Sequence, residues 1–242
     1  MPPSSGGTQA CTGEEPQTLK RLTVSIGGMV SFLGIPLFLA AGTIGWMAGW
    51  VFLALCLGFA GGLGCWLYRH NPGLLAERLA PIGKAGQRTW DKVFLALING
   101  YFLAWLILMG IDAVRFHWSV MPPWLHAIGG MLLVASFAGW FAIFRENPYL
   151  SPAVRMQPER GHVIVTTGPY RWVRHPMYAV AIPFMMGTAL WLGSWYGLIA
   201  GWGMVVGLGW RALGEERMLS SELAGYRSYR AQVKYRFVPH IW

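Results

Sequence analysis

The sequence predicts an all-α integral membrane protein with about six hydrophobic helices and no Rossmann domain. Hydrophobic residues make up 55% of the 242 residues and charged residues only 12%, a balance typical of membrane proteins. No residue from Leu22 to Tyr68 is charged, and this stretch is long enough for two spans of about 20 residues each. No glycine-rich G-x-G-x-x-G motif follows a predicted strand, so a nucleotide-binding βαβ unit is not expected.

The basic residues predict the orientation in the membrane. Of the 19 Lys and Arg residues, only Arg115 lies outside four polar segments. These segments are the region around Lys20 and residues 69–92, 145–174 and 211–236. The positive-inside rule then predicts that both termini and any active site in these segments face the cytoplasm, in a bacterial inner membrane. The net charge of +9 does not indicate nucleic-acid binding, because no basic helix face or nucleic-acid module is present.

Composition divides the chain into three predicted regions. Residues 1–18 are rich in Pro, Ser, Gly and Thr and predict a disordered tail. Residues 19–150 predict four transmembrane helices, the third running from Val93 to Ile111 and the fourth from Trp124 to Phe144. Residues 151–242 predict a catalytic region made of a cofactor loop, a helical hairpin and a C-terminal helix.

Two apolar runs, Met177–Leu192 and Trp195–Trp210, predict the helical hairpin, because only Gly193 and Ser194 separate them. Each run is short for a full span, so the two helices are expected either to span a thinned part of the membrane or to lie tilted against the other helices. A charged amphipathic helix is expected to follow, from Ala212 to about Val233. Near the end of the third span, Asp112 and Arg115 are three residues apart and are expected to pair.

The densest group of chemically capable side chains lies in residues 161–178. Val163-Ile164-Val165 has the β-branched composition of a short extended segment, which offers backbone donors and acceptors. Gly168-Pro169 predicts a turn, and Pro176 suits the first turn of a helix. The polar side chains placed at this edge of the apolar segment are Tyr170, Arg171, Arg174, His175 and Tyr178.

A second group begins at Arg211, which shares a helix face with Glu215 because the two are four residues apart. The hairpin returns this face to the membrane side that carries His175. Ionisable groups at such a depth are costly and are therefore functional candidates. The cysteines show neither metal-ligand spacing nor a disulfide pattern, so no metal is expected.

Several motifs follow one another in the last third of the chain. They are Gly168-Pro169-Tyr170, Arg174-His175-Pro176-x-Tyr178, Glu215-Glu216-x-x-Leu219, Tyr226-x-x-Tyr229 and Pro239-x-Ile241-Trp242. In order and spacing they resemble the isoprenylcysteine carboxyl methyltransferase family, over about residues 155–242. That family consists of integral membrane enzymes that use S-adenosylmethionine without a Rossmann domain.

The resemblance implies a set of site residues. Arg211 matches the family's catalytic arginine, which faces the substrate carboxylate. The residues implied to bind S-adenosylmethionine are Gln157, His162, Val163, Ile164, Val165, Tyr170, His175, Pro176, Met177, Tyr178 and Glu215. The implied acceptor is amphipathic or lipid-like and comes from the bilayer.

Other functions remain open from the sequence. A phospholipid N-methyltransferase or a thiol S-methyltransferase of the same fold would keep the cofactor and change the nucleophile. A sterol-type reductase using NADPH has a similar C-terminal architecture, but the double glutamate favours the methyltransferase. A structural or transport protein would be expected to carry paired charges within its spans.

Overall fold

The computed structural model describes residues 14–80 and 86–242, and this part of the chain contains helices but no β-strand. The predicted all-α fold class is therefore confirmed. The helices are α1 (Glu14–Ala41), α2 (Met47–His70), α3 (Pro72–Arg78), α4 (Thr89–Gly110), α5 (Pro123–Glu146), α6 (Pro176–Leu192), α7 (Trp195–Glu222) and α8 (Tyr226–Gln232). A π-helical turn, Ile111–Arg115, extends α4, and short 3-10 turns occupy Pro158–Arg160 and Gly168–Arg171.

Four helices in the described part of the chain are long and apolar enough to cross a membrane. They cover Lys20–Ala41, Met47–His70, Thr89–Arg115 and Pro123–Glu146. Helix α6 is apolar but has only 17 residues. The protein is therefore an integral membrane protein by length and composition of its helices.

Most of the predicted N-terminal tail lies outside the described residues. Helix α1 already begins at Glu14, before the predicted end of the tail at residue 18. A proline at position 16 is compatible with this start, because a helix needs no backbone N–H partner in its first turn.

The main core joins residues of α1, α2, α4, α5, α6 and α7. Trp105 of α4 lies at its centre, 2% exposed, and packs with Leu37, Phe52, Leu133 and Met204. The indole Nε1 of Trp105 donates to the carbonyl oxygen of Gly197 at 2.6 Å, so its polar atom is satisfied inside the core.

Helices α5 and α6 approach each other closely at two glycines. A Cβ atom on Gly129 would lie 2.4 Å from the backbone nitrogen of Trp191, and one on Gly187 would lie 2.9 Å from the carbonyl oxygen of Gly129. Small residues at such crossings allow membrane helices to pack through their backbones. This contact fixes α6 against the long helix α5.

Helix α7 is longer than the second helix of the predicted hairpin. The second apolar run and the first part of the charged helix expected from Ala212 form one helix that ends at Glu222. Residues 223–225 separate it from α8, so the helix expected from Ala212 to about Val233 is divided in two. No proline interrupts the segment, and its Ala, Leu and Glu residues favour helix. The hairpin turn itself is confirmed, with Gly193 at φ 84° closing α6.

The predicted pair of Asp112 and Arg115 is wrong. Asp112 is fully buried and accepts hydrogen bonds from the hydroxyls of Ser119 and Ser194. Arg115 instead donates from Nη2 to the carbonyl oxygen of Leu39 at 2.8 Å. The π-helical turn directs Asp112 inward to the hairpin turn, and the two serines tie the ends of α4 and α6 together.

These contacts place the turns after α1, α4 and α6 at one end of the helix bundle. The opposite end carries α3, the 147–175 segment, and the polar half of α7 beyond Trp210. The chemically capable groups of the sequence meet at that second end.

Candidate active site

A cavity of about 340 Å³ lies at the polar end of α6 and α7. Its walls come from the end of α3, the segment between α5 and α6, the start of α6, the polar half of α7, and α8. Small-molecule sites commonly have volumes of about 300–1,000 Å³. Every residue predicted to bind cofactor or substrate lines it: Gln157, His162, Val163, Ile164, Val165, Tyr170, His175, Pro176, Met177, Tyr178, Arg211 and Glu215.

His175, Tyr178 and Glu215 form one wall. His175 precedes the first residue of α6, and the hydroxyl of Tyr178 donates to Glu215 Oε2 at 2.9 Å. His175 Nδ1 lies 3.7 Å from the same oxygen, and the His175 and Tyr178 rings stack with centroids 5.4 Å apart. The Glu215 side chain is 27% exposed. Its Oε1 has no hydrogen-bond partner among the described residues, so this carboxylate can accept a further donor from the cavity.

The neighbouring Glu216 holds three chain segments together. Its carboxylate is 3% exposed and accepts from Arg174 Nε at 2.7 Å and Arg236 Nε at 3.2 Å, with His175 Nε2 at 3.3 Å. Burial alone would raise the pKa of Glu216, but the hydrogen bonds from His175 and Arg174 outweigh it and lower the pKa to about 2. Glu216 thus fixes the orientation of His175.

Arg174 connects this carboxylate to the end of the chain. Its Nη1 donates to the carbonyl oxygens of Val233 and Lys234, at 2.7 and 2.8 Å. Its backbone N–H donates to Tyr235 O, and the N–H of His175 donates to Arg236 O. The C-terminal segment therefore braces the start of α6 from behind the cavity.

Arg211 lies one helical turn before Glu215, as predicted, but its ion-pair partner comes from another helix. Its Nε donates to Asp91 Oδ1 at 2.9 Å and its Nη2 donates to Pro152 O at 2.6 Å. Asp91 is fully buried, and its Oδ2 also accepts from the backbone N–H of Val154 at 2.8 Å. The nitrogen of Arg211 that remains without a partner among the described residues is Nη1.

Gln157 and Tyr170 line the cavity but are already hydrogen-bonded within the protein. Gln157 is 1% exposed; its Nε2 donates to Tyr149 O at 2.6 Å and its Oε1 accepts from Arg160 Nη1 at 2.7 Å. The Tyr170 hydroxyl accepts from Asn147 Nδ2 at 2.7 Å. Burial raises the pKa of Tyr170 far above its ordinary value, so this phenol stays neutral and keeps its O–H proton. Gln157 therefore shapes the wall, whereas the O–H of Tyr170 can still donate to a ligand.

Two cavity residues hold buried polar atoms without a partner. These atoms are His162 Nδ1 and the Tyr226 hydroxyl oxygen, within the part of the chain that the structure describes. The His162 ring lies against Tyr149, with centroids 4.8 Å apart. Burial lowers the pKa of His162, which keeps the imidazole neutral near pH 7. Buried polar groups normally have hydrogen-bond partners, so a polar ligand in this cavity could supply the missing partners of both atoms.

Sequence reasoning missed several residues of the site. Tyr226 and Tyr229 belonged to the recognised motifs, but no role was predicted for them. Arg78 and Asp91 come from distant segments, and only the assembled fold brings Arg78 to the cavity wall and Asp91 against Arg211. Other polar residues that line the cavity without a predicted role include Asn147, Tyr149, Arg155 and Arg174. No group of His, Cys, Asp and Glu in the described ranges could hold a metal ion.

A family model matches part of this chain. Residues 124–224 match the PEMT family model, described as phospholipid methyltransferase. The match and the four apolar helices indicate an integral membrane methyltransferase. The matched region includes α5, α6 and α7, and so covers His175, Arg211 and Glu215. This family is related to the isoprenylcysteine carboxyl methyltransferases. No curated protein matches the chain.

Proposed function

We propose that this protein transfers a methyl group from S-adenosylmethionine to an amphipathic or lipid-like acceptor at the cytoplasmic face of the membrane. The observation that carries the proposal is one cavity lined by His175, Tyr178, Glu215 and Arg211 at the polar end of a membrane hairpin. A polar cofactor can reach this end from water, and an apolar acceptor can reach it from the bilayer.

The cavity fits S-adenosylmethionine by its chemistry. Glu215 Oε1 can accept from an ammonium or a ribose hydroxyl, and the buried polar atoms of His162 and Tyr226 have no partner among the described residues. S-Adenosylmethionine supplies a methyl group that is already electrophilic. The protein's task is then alignment, which can contribute about 7–11 kcal/mol to catalysis.

A carboxylate acceptor would need no general base, because carboxylates are ionised at neutral pH. Arg211 is the proposed group that orients it, as the family resemblance implies. Asp91 and Pro152 hold two of its nitrogens, so the end of the guanidinium that carries Nη1 would face the acceptor. Fixing the arginine in advance reduces the entropy lost when the acceptor binds.

A phospholipid amine is the second candidate acceptor, and the family match over residues 124–224 favours it. A protonated amine must lose a proton before it can attack a methyl group. Glu215 Oε1 is a suitable proton acceptor because Tyr178 holds only the other oxygen. The two candidates therefore differ in whether Glu215 serves cofactor binding alone or also takes a proton.

Ligand binding tests the cofactor. Purified protein should bind S-adenosylhomocysteine but not NADPH, and Glu215→Gln should weaken S-adenosylhomocysteine binding at least tenfold. Glu222→Gln is the matched control, because Glu222 lies on the same helix, pairs with Arg88 and does not line the cavity. Binding of NADPH, or equal affinity in the two variants, would refute the proposal.

Acceptor choice is tested with Arg211→Lys on a panel of amphipathic acids, amines and thiols. With an acid, turnover should fall more than tenfold while S-adenosylhomocysteine affinity stays nearly unchanged, since lysine cannot replace a planar guanidinium. With an amine or thiol, the change should be small. Because the substitution also breaks the contact with Asp91, Asp91→Asn serves as the control for lost anchoring of Arg211. Full activity of Arg211→Lys on an acid would exclude carboxylate orientation by this residue.

A further inference from the structure

Arg78 is a cation at the cavity wall for which the described residues supply no acidic partner. It is the last residue of α3, and its guanidinium carbon lies 5.1 Å from the centroid of the Phe144 ring. Within residues 14–80 and 86–242, no hydrogen bond or ion pair joins it to another side chain. Its neighbour Glu77 is committed elsewhere, since both carboxylate oxygens accept from Arg155.

Among the described residues, no hydrogen bond or ion pair joins Arg78 to the other carboxylates around the cavity. Glu77 is held by Arg155 and Ser151, Asp91 by Arg211, Glu215 by Tyr178, and Glu216 by Arg174 and Arg236. Residues 1–13 and 81–85, which lie outside the described ranges, contain no acidic residue in their sequence. Within the described ranges, Arg78 is therefore an arginine at the cavity wall that forms no direct ion pair, whereas Arg155, Arg174 and Arg211 each contact a carboxylate.

The surroundings of Arg78 make the absence of a direct ion pair costly. Burial and the positive charge of Arg211 lower the pKa of Arg78 to about 10, although Glu77 opposes the shift. At neutral pH the guanidinium remains charged. A partly desolvated cation that lies against Phe144 and is repelled by the charge of Arg211 would be stabilised by an anion placed in the cavity.

We propose that Arg78 binds the oxyanion of the methyl acceptor's head group, a carboxylate or a phosphate. The inference rests on the proposed function and specifies its substrate class as an anionic amphiphile. The cofactor is a poorer match, because its sulfonium and ammonium groups outnumber its one carboxylate. The position of Arg78 also fits such an acceptor. Its neighbour Phe144 packs in an apolar cluster with Leu67, Leu74 and Leu75, where the cavity meets the helix ends. An acceptor with a charged head and an apolar tail suits that boundary.

The two anion sources are separated by three probes with one chain: oleate, oleyl phosphate and oleyl alcohol. Their apparent Kd values would be measured by microscale thermophoresis on the purified full chain at one fixed micelle concentration. We expect at least one anionic probe to bind more tightly than the alcohol. Arg78→Gln should weaken binding of that anionic probe at least tenfold. It should change the affinity for oleyl alcohol less than twofold and leave the affinity for S-adenosylhomocysteine unchanged. A preference for oleyl phosphate identifies a phospholipid-like head group, and a preference for oleate identifies a carboxylate.

Arg145→Gln is the matched control. It removes one positive charge next to Phe144 but lies exposed and does not line the cavity. If it weakens the anions as much as Arg78→Gln does, or if Arg78→Gln weakens S-adenosylhomocysteine alone, the inference is overturned. Arg78→Lys, which should lose only part of the affinity, serves if the glutamine variant does not fold. Failure of the wild type to bind S-adenosylhomocysteine would instead remove the proposed function, while Arg78-dependent anion binding would still stand.

Discussion

Two tyrosines three residues apart on α8 offer a test in which similar substitutions have opposite effects. Tyr226 is 4% exposed, and its hydroxyl oxygen is buried with no partner among the described residues. Tyr229 is 5% exposed, but its hydroxyl donates to Tyr170 O at 2.6 Å. Their rings belong to one cluster with Val233. We therefore expect Tyr226→Phe to stabilise the ligand-free protein and Tyr229→Phe to destabilise it.

The magnitudes follow from the state of each hydroxyl. An unsatisfied buried polar group costs about 1–3 kcal/mol, and a satisfied hydrogen bond contributes about 0.5–1.5 kcal/mol net. For a chain of this length, 1 kcal/mol corresponds to about 2–4 °C in the unfolding midpoint. Tyr226→Phe should raise the midpoint by at least that amount, and Tyr229→Phe should lower it by a similar amount.

Tyr226→Phe should also weaken cofactor binding if the Tyr226 hydroxyl forms a hydrogen bond with the bound cofactor. Loss of one hydrogen bond of about 1 kcal/mol corresponds to about fivefold weaker S-adenosylhomocysteine binding. Midpoints would be measured by tryptophan fluorescence in detergent at one scan rate, with and without S-adenosylhomocysteine. The midpoint shift caused by the ligand should be smaller in Tyr226→Phe than in wild type.

Two results would refute this reasoning. A fall in the ligand-free midpoint of Tyr226→Phe, equal to that of Tyr229→Phe, would mean that the Tyr226 hydroxyl is satisfied inside the protein. A higher midpoint with unchanged S-adenosylhomocysteine affinity would mean that the ligand does not reach this hydroxyl.

Three further substitutions test the packing, the buried carboxylate and the topology. Gly129→Ala should destabilise the protein by about 1–3 kcal/mol or more, because its Cβ would lie 2.4 Å from backbone, whereas Gly62→Ala, with nothing within 4 Å, should not lower the unfolding midpoint. Glu216→Gln should lower the unfolding midpoint at neutral pH. The folded pKa of Glu216, about 2, lies below its ordinary value of 4.5, so the difference in midpoint between variant and wild type should narrow as pH falls from about 5 toward 3. A pH-independent difference in midpoint would contradict the assigned role. Single cysteines replacing the exposed Val120 and Thr166, in a background without native thiols, should label from opposite sides of the membrane, and labelling from one side would disprove four crossings.

The sequence predicted the fold class and the hydrophobic helices because these depend on local composition. A span needs about 20 apolar residues in succession, and no long-range contact alters that requirement. The hairpin turn was also predictable from local sequence, because Gly193 and Ser194 are the only residues between the two apolar runs. The helix continuation from Trp210 to Glu222 was not predicted, because the fall in hydropathy marks the membrane boundary and not the end of the helix.

The site residues with recognisable spacing were also predictable as a group. His175, Tyr178 and Glu215 lie in motifs whose order indicated one site, and the fold brings them to one cavity. That they bind S-adenosylmethionine stays a prediction.

Only the tertiary structure decided which charges are paired. Spacing suggested that Arg211 shares a face with Glu215 and that Asp112 pairs with Arg115. In the fold, Arg211 pairs with Asp91, 120 positions away, and Asp112 accepts from two serines. Hydropathy places each helix in the membrane but leaves its rotation and neighbours undetermined. Those are set by packing between distant segments, such as the close approach of Gly129 and Gly187, and they decide which acidic and basic side chains meet.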